Sequence, residues 1–133
     1  MARAGLTEYR VVIPGRPVPA QRMTQRSKWS PRSQRSLAYQ RLVAQVALAA
    51  RLPRPLPWEY VDVLVWVFLR PTKAGKLPGS RGDWDNYGKA VCDGLQYAGV
   101  LRNDRDVTDG ATKVRPALDG EERAEVILRE AIL

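Results

Sequence analysis

The stretch that most limits how this chain can fold is YVDVLVWVFL, at residues 60–69. Successive side chains of an extended strand point to opposite faces, so the valines at odd positions would share one face. The other face would carry Leu64, Trp66 and Phe68. Because both faces are apolar, we predict that this stretch is a central strand of a sheet.

The rest of the chain has patterns typical of three more strands and two helices. Two segments repeat apolar residues at helical spacing, and short β-branched runs bounded by Pro or Gly indicate strands. The predicted elements are strand 9–13, helix 33–50, strand 60–69, helix 86–98, and strands near 106–115 and 123–130. We therefore expect an α+β fold in a single domain over residues 1–133, with a mixed β-sheet (order β-α-β-α-β-β) covered by two helices.

The chain is strongly basic, with 22 Lys and Arg against 14 Asp and Glu and a formal net charge of +8. Between Tyr9 and Trp58 there is no acidic residue, although ten basic residues occur there. A solubilising surface usually mixes both signs, so this distribution favours nucleic acid as a partner. Phosphate contacts are predicted for basic residues of two loops: Arg16, Arg22, Arg26, Lys28 and Arg32 in the first, and Lys73, Lys76 and Arg81 in the second.

The residue types that the chain lacks exclude several kinds of site. With no histidine and a single cysteine, Cys92, the chain cannot form an internal disulfide, a zinc site or a Ser-His-Asp triad. Any bound metal must therefore have oxygen ligands. The longest apolar run is too short to cross a bilayer, and the first residues do not resemble a signal peptide, so we expect a soluble cytoplasmic protein.

Five aspartates cluster at residues 81–106 of this otherwise basic chain. Asp83 and Asp85 are two residues apart, so in an extended segment both carboxylates would project to the same side, with Asp85 capping the second helix. Lys89 and Asp93 would follow Asp85 at steps of four residues on one stripe of that helix. The spacing thus predicts an acidic group with one lysine at the start of the helix.

Asp104 joins this group only if the chain returns along the second helix. A helix of this length rises about 20 Å, and the extended run after it can descend about as far. Asp83, Asp85 and Asp104 would then offer three oxygen ligands suited to Mg²⁺ or Mn²⁺. Such a cation would polarise a phosphodiester and activate a water, while Lys89 would either stabilise the transition state or help to deprotonate the water.

A structural role is the alternative for the acidic residues. Asp83 and Asp85 could cap the helix while Asp104 lies in a solvated turn. The DxDN sequence followed by a lysine favours an active site over this alternative for the first pair. A structural role is favoured for Asp93, Asp106 and Asp109.

The order of these residues resembles that of the RusA-type Holliday-junction resolvases, a family often carried by prophages. The resemblance runs from IPGRPVPAQRMT through DWDNYGKAVCDGLQYAGVLRNDRDV to Lys113 and so covers most of the chain. The family pattern is Asp-x-Asp-Asn, a lysine three residues after the Asn, Asp-x-Leu and a later Asp. The matching residues are Asp83, Asp85, Asn86, Lys89, Asp93, Leu95 and Asp104.

The resemblance implies a homodimeric endonuclease that makes paired symmetric cuts across four-way DNA junctions with Mg²⁺ or Mn²⁺. It implies that Asp83, Asp85 and Asp104 bind the metal and that Lys89 is the catalytic lysine. The alternatives are a nuclease of the same metal chemistry that prefers other branched or duplex DNA, and a DNA-binding protein without catalytic activity.

One position departs from the family pattern. The family usually has two adjacent aspartates where this chain has Asn103 before Asp104. Asn103 offers an uncharged oxygen, and Asp106 is a candidate replacement for the missing charge. Trp29 lies among basic residues and could stack on bases or could belong to a lid.

Overall fold

The computed structural model describes residues 7–78 and 83–133. The strands are β1 (Glu8–Pro14), β2 (Val61–Leu69), β3 (Val107–Pro116) and β4 (Arg123–Glu130), and the helices are α1 (Pro31–Ala49) and α2 (Trp84–Tyr97). A short 3₁₀ turn, Asp104–Asp106, precedes β3. The predicted α+β fold and the order β-α-β-α-β-β are confirmed.

The four strands form one mixed sheet in the spatial order β1-β4-β2-β3. β2 pairs with β3 in parallel and with β4 in antiparallel orientation, and β4 pairs antiparallel with β1. The prediction that residues 60–69 form a central strand is therefore confirmed. Only one face of β2 is fully buried, at the alternating positions from Val61 to Leu69, because both helices lie on that face.

The connection from β2 through α2 to β3 decides where the functional residues lie. Because β2 and β3 are parallel, α2 must run antiparallel to both, and it begins at the edge of the sheet where β2 ends. β1 runs in the same direction as β2, so β1, β2 and β3 all end at this edge. Asp104 precedes β3 and therefore belongs to the opposite edge.

Both helices begin two residues before their predicted starts. In α1, Pro31 occupies the first turn, and the side chain of Ser30 accepts a hydrogen bond from the backbone N–H of Ser33 at 3.1 Å. In α2 the cap is Asp83 rather than Asp85, since the backbone carbonyl of Asp83 accepts from the N–H of Tyr87 at 3.2 Å. Asp85 thus lies inside the first turn.

The two helices approach each other closely at Gly94 of α2. A Cβ atom at this position would lie 2.6 Å from the Cβ of Val43 and 2.8 Å from the carbonyl oxygen of Gln40. Real Cβ atoms do not come so near to other heavy atoms, so only glycine allows this separation of the helices. This contact fixes α2 against α1 and thereby fixes the acidic residues of α2 in the fold. No helix in the described residues is long and apolar enough to span a membrane.

We predict that Gly94→Ala destabilises the protein by about 1–3 kcal/mol, because the added methyl group overpacks the interface between the helices. The free energy of unfolding is measured by urea denaturation. Gln96→Ala, at an exposed position of the same helix, serves as the control and should change it by less than about 0.5 kcal/mol. A stabilisation by Gly94→Ala of about 1 kcal/mol, as helix propensity alone would give, would contradict this packing.

Candidate active site

Asp83 and Asp85 do not project to the same side, because the segment is helical from Trp84 onward. Residues two positions apart in a helical segment are separated by about 200° around the helix axis. The side chain of Asp83 makes no capping hydrogen bond, and it lies near Tyr87. Asp85 instead lines a cavity between α2 and β3. The expectation of a parallel pair in an extended segment is therefore corrected.

A buried tyrosine and a buried glutamate lie on the Asp83 side. Burial raises the pKa of Tyr87, and the charge of Asp83 raises it further, while Arg16 lowers it and Glu122 raises it. Glu122 accepts hydrogen bonds from Nη1 of Arg16 at 2.7 Å and from the backbone N–H of Arg70 at 3.0 Å. Its carboxylate thus connects the loops after β1 and β2 at the edge where α2 begins. Sequence reasoning missed Glu122, since its only signal was a place in a turn.

Asp104 lies beside the second half of α2. Burial raises the pKa of Asp93, the charge of Lys89 lowers it, and the charge of Asp104 raises it. Burial also raises the pKa of Cys92 to about 11, with smaller contributions from Asp93 and Asp104. Asp93, for which the sequence favoured a structural role, therefore lies close enough to Asp104 and to exposed Lys89 for their charges to act on it.

Asn103 and Asp106, the two residues that could replace the aspartate that this chain lacks, both have other structural partners. The side-chain oxygen of Asn103 accepts a hydrogen bond from the backbone N–H of Arg105 at 3.0 Å and so caps the 3₁₀ turn. Asp106 forms an ion pair with Arg102 at 3.6 Å. In this arrangement Asp104 is the member of the turn whose carboxylate has neither of these structural roles.

The aspartates of the region form two groups along α2. Asp85 and Asp93 are eight residues apart, which is about 12 Å along the helix axis. Within residues 7–78 and 83–133, no three carboxylates or thiols lie close enough together to hold a metal ion. Mg²⁺ commonly binds to one or two carboxylates, several waters and the phosphates of its substrate. The donor set fits a cation shared with DNA phosphate, and it does not form a cage of protein ligands.

The acidic residues on and beside α2 have no basic partner in the part of the chain that the structure describes. Among the described residues, Asp83, Asp85, Asp93 and Asp104 form no ion pair within 4.0 Å, and neither does Lys89. Five other acids are paired with arginine, namely Glu8, Asp106, Asp119, Glu122 and Glu125, whereas acids on the sheet such as Asp62 and Asp109 also have no ion pair among the described residues. In a chain with excess arginine, unpaired carboxylates on one helix remain available for a cation.

The basic loop after β1 is attached to the start of α2. The backbone N–H of Ala20 donates to the carbonyl oxygen of Asn86 at 2.9 Å, so this loop begins beside the acidic residues. Most of the basic residues predicted to bind DNA are exposed: Arg16, Arg22, Arg26, Arg32, Lys73 and Lys76. Lys28 is partly buried, with its Nζ 5.3 Å from the ring centre of Trp29. Arg81 lies outside the described residues.

Three basic residues have structural partners that the sequence did not show: Arg16 and Lys28 of the first basic loop, and Lys113 of the family resemblance. Arg16 is paired with Glu122, and Trp29 is 72% exposed beside Lys28. Lys113 lies over Trp66, with its Nζ 5.4 Å from the ring centre. Both side chains are on the sheet face away from the helices, so Lys113 is not part of the group on α2.

A basic α+β domain with unpaired aspartates along one helix and a basic loop at its start is typical of a nuclease. Residues 14–129 match the family model described as Endodeoxyribonuclease RusA. The chain therefore belongs to the RusA family, whose members resolve Holliday junctions by hydrolysing phosphodiester bonds. No curated protein matches the chain.

We predict that Glu122→Ala lowers the free energy of unfolding by about 1–3 kcal/mol, because two arginines and a backbone N–H lose their acceptor. Urea denaturation measures the change. The exposed neighbour Glu121→Ala is the matched control and should change stability by less than about 0.5 kcal/mol. Equal effects of the two substitutions would show that Glu122 does not connect the loops.

Proposed function

We propose that this protein is a divalent-metal-dependent endonuclease that resolves four-way DNA junctions by paired symmetric cuts. The observation that supports this most directly is the set of unpaired aspartates on and beside α2, next to the attached basic loop, in a chain of the RusA family. The family's substrate is DNA, and the net charge of +8 favours its binding.

In this proposal Asp83, Asp85 and Asp104 are the metal-binding residues, and the cation is Mg²⁺ or Mn²⁺. When bound, such a cation supplies positive charge to the scissile phosphate and lowers the pKa of a coordinated water. Since no three carboxylates of the described residues are clustered, a cation held by one or two of them would take its remaining ligands from water and from a phosphate of the DNA. Asp93 lies beside Asp104 and is added to the candidate residues on this structural ground.

Lys89 is proposed as the catalytic lysine. Its side chain is exposed on the stripe between Asp85 and Asp93, and its charge partly opposes the increase that burial causes in the pKa of the Asp93 carboxyl. In the free protein the ammonium group offsets the repulsion between these carboxylates. With DNA bound, the same group can donate to phosphate oxygens as negative charge grows on them in the transition state.

The exposed basic residues are proposed to bind the arms of the junction rather than to take part in cleavage. Arg22, Arg26 and Arg32 belong to the loop and helix start that follow the attachment at Ala20. Lys73 and Lys76 are exposed in the loop before α2. Both loops leave the sheet at the edge where α2 begins, so their charges would guide phosphates towards Asp83 and Asp85.

A homodimer follows from the symmetry of the proposed reaction. Paired symmetric cuts require two identical active sites, and a twofold dimer presents them in equivalent positions on a four-way junction. The molar mass in solution, from light scattering with and without junction DNA, tests this part of the proposal. A 1:1 complex of chain and junction that cuts both strands would contradict it.

The proposed function is tested by cleavage of a four-way junction and of a linear duplex with the same sequences, each with and without Mg²⁺. We expect cutting of the junction alone, and only with the cation. Equal cutting of the duplex would indicate a nuclease for other DNA. Binding without cutting of either substrate would indicate a DNA-binding protein.

We predict that Asp83→Asn, Asp85→Asn and Asp104→Asn each reduce cleavage by at least about a hundredfold, as expected when transition-state charge stabilisation is lost. Junction binding should be retained or strengthened, because each change removes negative charge near phosphate. Cleavage of pre-bound junction and gel-shift affinity are measured together. Asp109→Asn, at an exposed position of β3, controls for the loss of a carboxylate. If the variant of a candidate residue cuts as fast as Asp109→Asn, that residue is not part of the site.

We predict that Lys89→Met retains fold and junction binding but loses cleavage, and that Lys89→Arg recovers part of the rate because its planar group fits the site less well. Single-turnover cutting of pre-bound junction gives the rate, and circular dichroism reports the fold. Gln96→Met, exposed on the same helix, controls for the methionine. Wild-type cutting by Lys89→Met would make Lys89 only a surface partner of the aspartates.

A further inference from the structure

Trp84 is a large aromatic side chain that the first turn of α2 leaves in solvent. It lies between Asp83 and Asp85 in the sequence, and 54% of its surface is exposed. It is absent from the buried core, which other residues of α2 such as Tyr87 and Leu95 join. The folded chain therefore gains little stability from an indole at this position, which is typical of a side chain that contacts a ligand.

A cavity of about 220 Å³ opens beside Trp84, between α2 and the sheet. Its walls are mostly apolar, and Asp85 is the carboxylate on its rim. Two glycines shape it: Gly110 has no side chain to fill it, and Gly88 lets α2 approach Thr112 so closely that a Cβ would lie 2.1 Å from the Thr112 hydroxyl oxygen. The space far exceeds the roughly 30 Å³ that one water occupies in the liquid.

The cavity also borders backbone groups of an edge strand. β3 pairs only with β2 in the described sheet, so its outer N–H and C=O groups have no strand partner there. The residues of β3 that line the cavity include Gly110 and Thr112. The register of β3 shifts next to this segment, where Val61 pairs with Val107 and Asp62 with Asp109. Bulges of this kind often lie beside active sites.

We propose that Trp84 and this cavity form a subsite for one unstacked nucleobase of the DNA, next to the phosphate at Asp85. The indole would stack on the face of the base, and the free backbone edge of β3 could pair with its polar edge. This inference rests on the proposed function, because DNA at Asp85 brings a base to Trp84. A nucleobase suits the site since it combines a flat apolar face with a polar rim.

The subsite would contribute to selectivity for branched DNA. A base at the crossover of a junction is easier to unstack than a base within a continuous duplex, so the junction can fill the subsite at lower cost. Stacking on an aromatic side chain tolerates every base and adds affinity without strict sequence readout. Trp84 would thus be a specificity residue that favours junctions over duplex DNA.

The test uses four-way junctions with 2-aminopurine beside the cleaved phosphate, bound by the full chain with Ca²⁺ in place of Mg²⁺. Trp84→Ala should raise the 2-aminopurine emission of the saturated complex, because the base loses its stacking partner. It should also weaken junction binding by about five- to one-hundred-fold and leave duplex binding unchanged. Trp84→Phe should show smaller changes than Trp84→Ala in both the emission and the junction affinity.

Tyr97→Ala is the matched control, since Tyr97 is 75% exposed at the other end of α2. It should behave as wild type in emission and in affinity. If Trp84→Ala also matches wild type while the wild-type protein cuts junctions, the subsite is refuted and the proposed function stands. If the wild-type protein neither binds nor cuts a junction, the proposed function fails and the subsite with it.

Discussion

The parallel crossover from β2 through α2 to β3 determines the position of every acidic residue in the candidate site. A parallel pair forces the connecting helix to run back along the sheet, so Asp83 and Asp85 lie at the edge where the strands end. Asp104 directly precedes β3 and lies near the other end of α2. The glycine contact between α1 and α2 then keeps this helix in place. The candidate residues are consequently distributed along the length of α2.

Ion pairing distinguishes the acidic residues that stabilise loops from the aspartates of the candidate site. Glu122 and Asp106 have arginine partners and stabilise loops and turns. The aspartates on and beside α2 have no such partner among the described residues. The pKa of Asp93 is raised chiefly by burial, with a further increase from the charge of Asp104 and a decrease from that of Lys89. A divalent cation bound there would offset the repulsion between these carboxylates and attract the DNA phosphate.

The sequence predicted the fold well because its strongest patterns are local. The apolar alternation of residues 60–69 identified the central strand, and helical spacing identified both helices. The start of α2 was less accurate because Asp83 caps this helix without a side-chain hydrogen bond, whereas Ser30 and Pro31 did signal the start of α1 and were overlooked. The length of the segment after α2 set only the maximum distance between Asp104 and the end of that helix. The position of Asp104 is decided by the start of β3, which it directly precedes. Glu122 was missed because its partners are far away in the sequence.

Addition of Mn²⁺ to the isotope-labelled protein, followed by paramagnetic broadening of its backbone amide signals, tests most directly whether α2 carries the cation site. The account predicts broadening centred on the first turns of α2 and on the Asp104 turn, reversed by excess Mg²⁺. A second group of acids lies on the sheet at Glu8, Asp62, Asp109 and Glu130. Broadening centred there, with the first turns of α2 unaffected, would contradict the account.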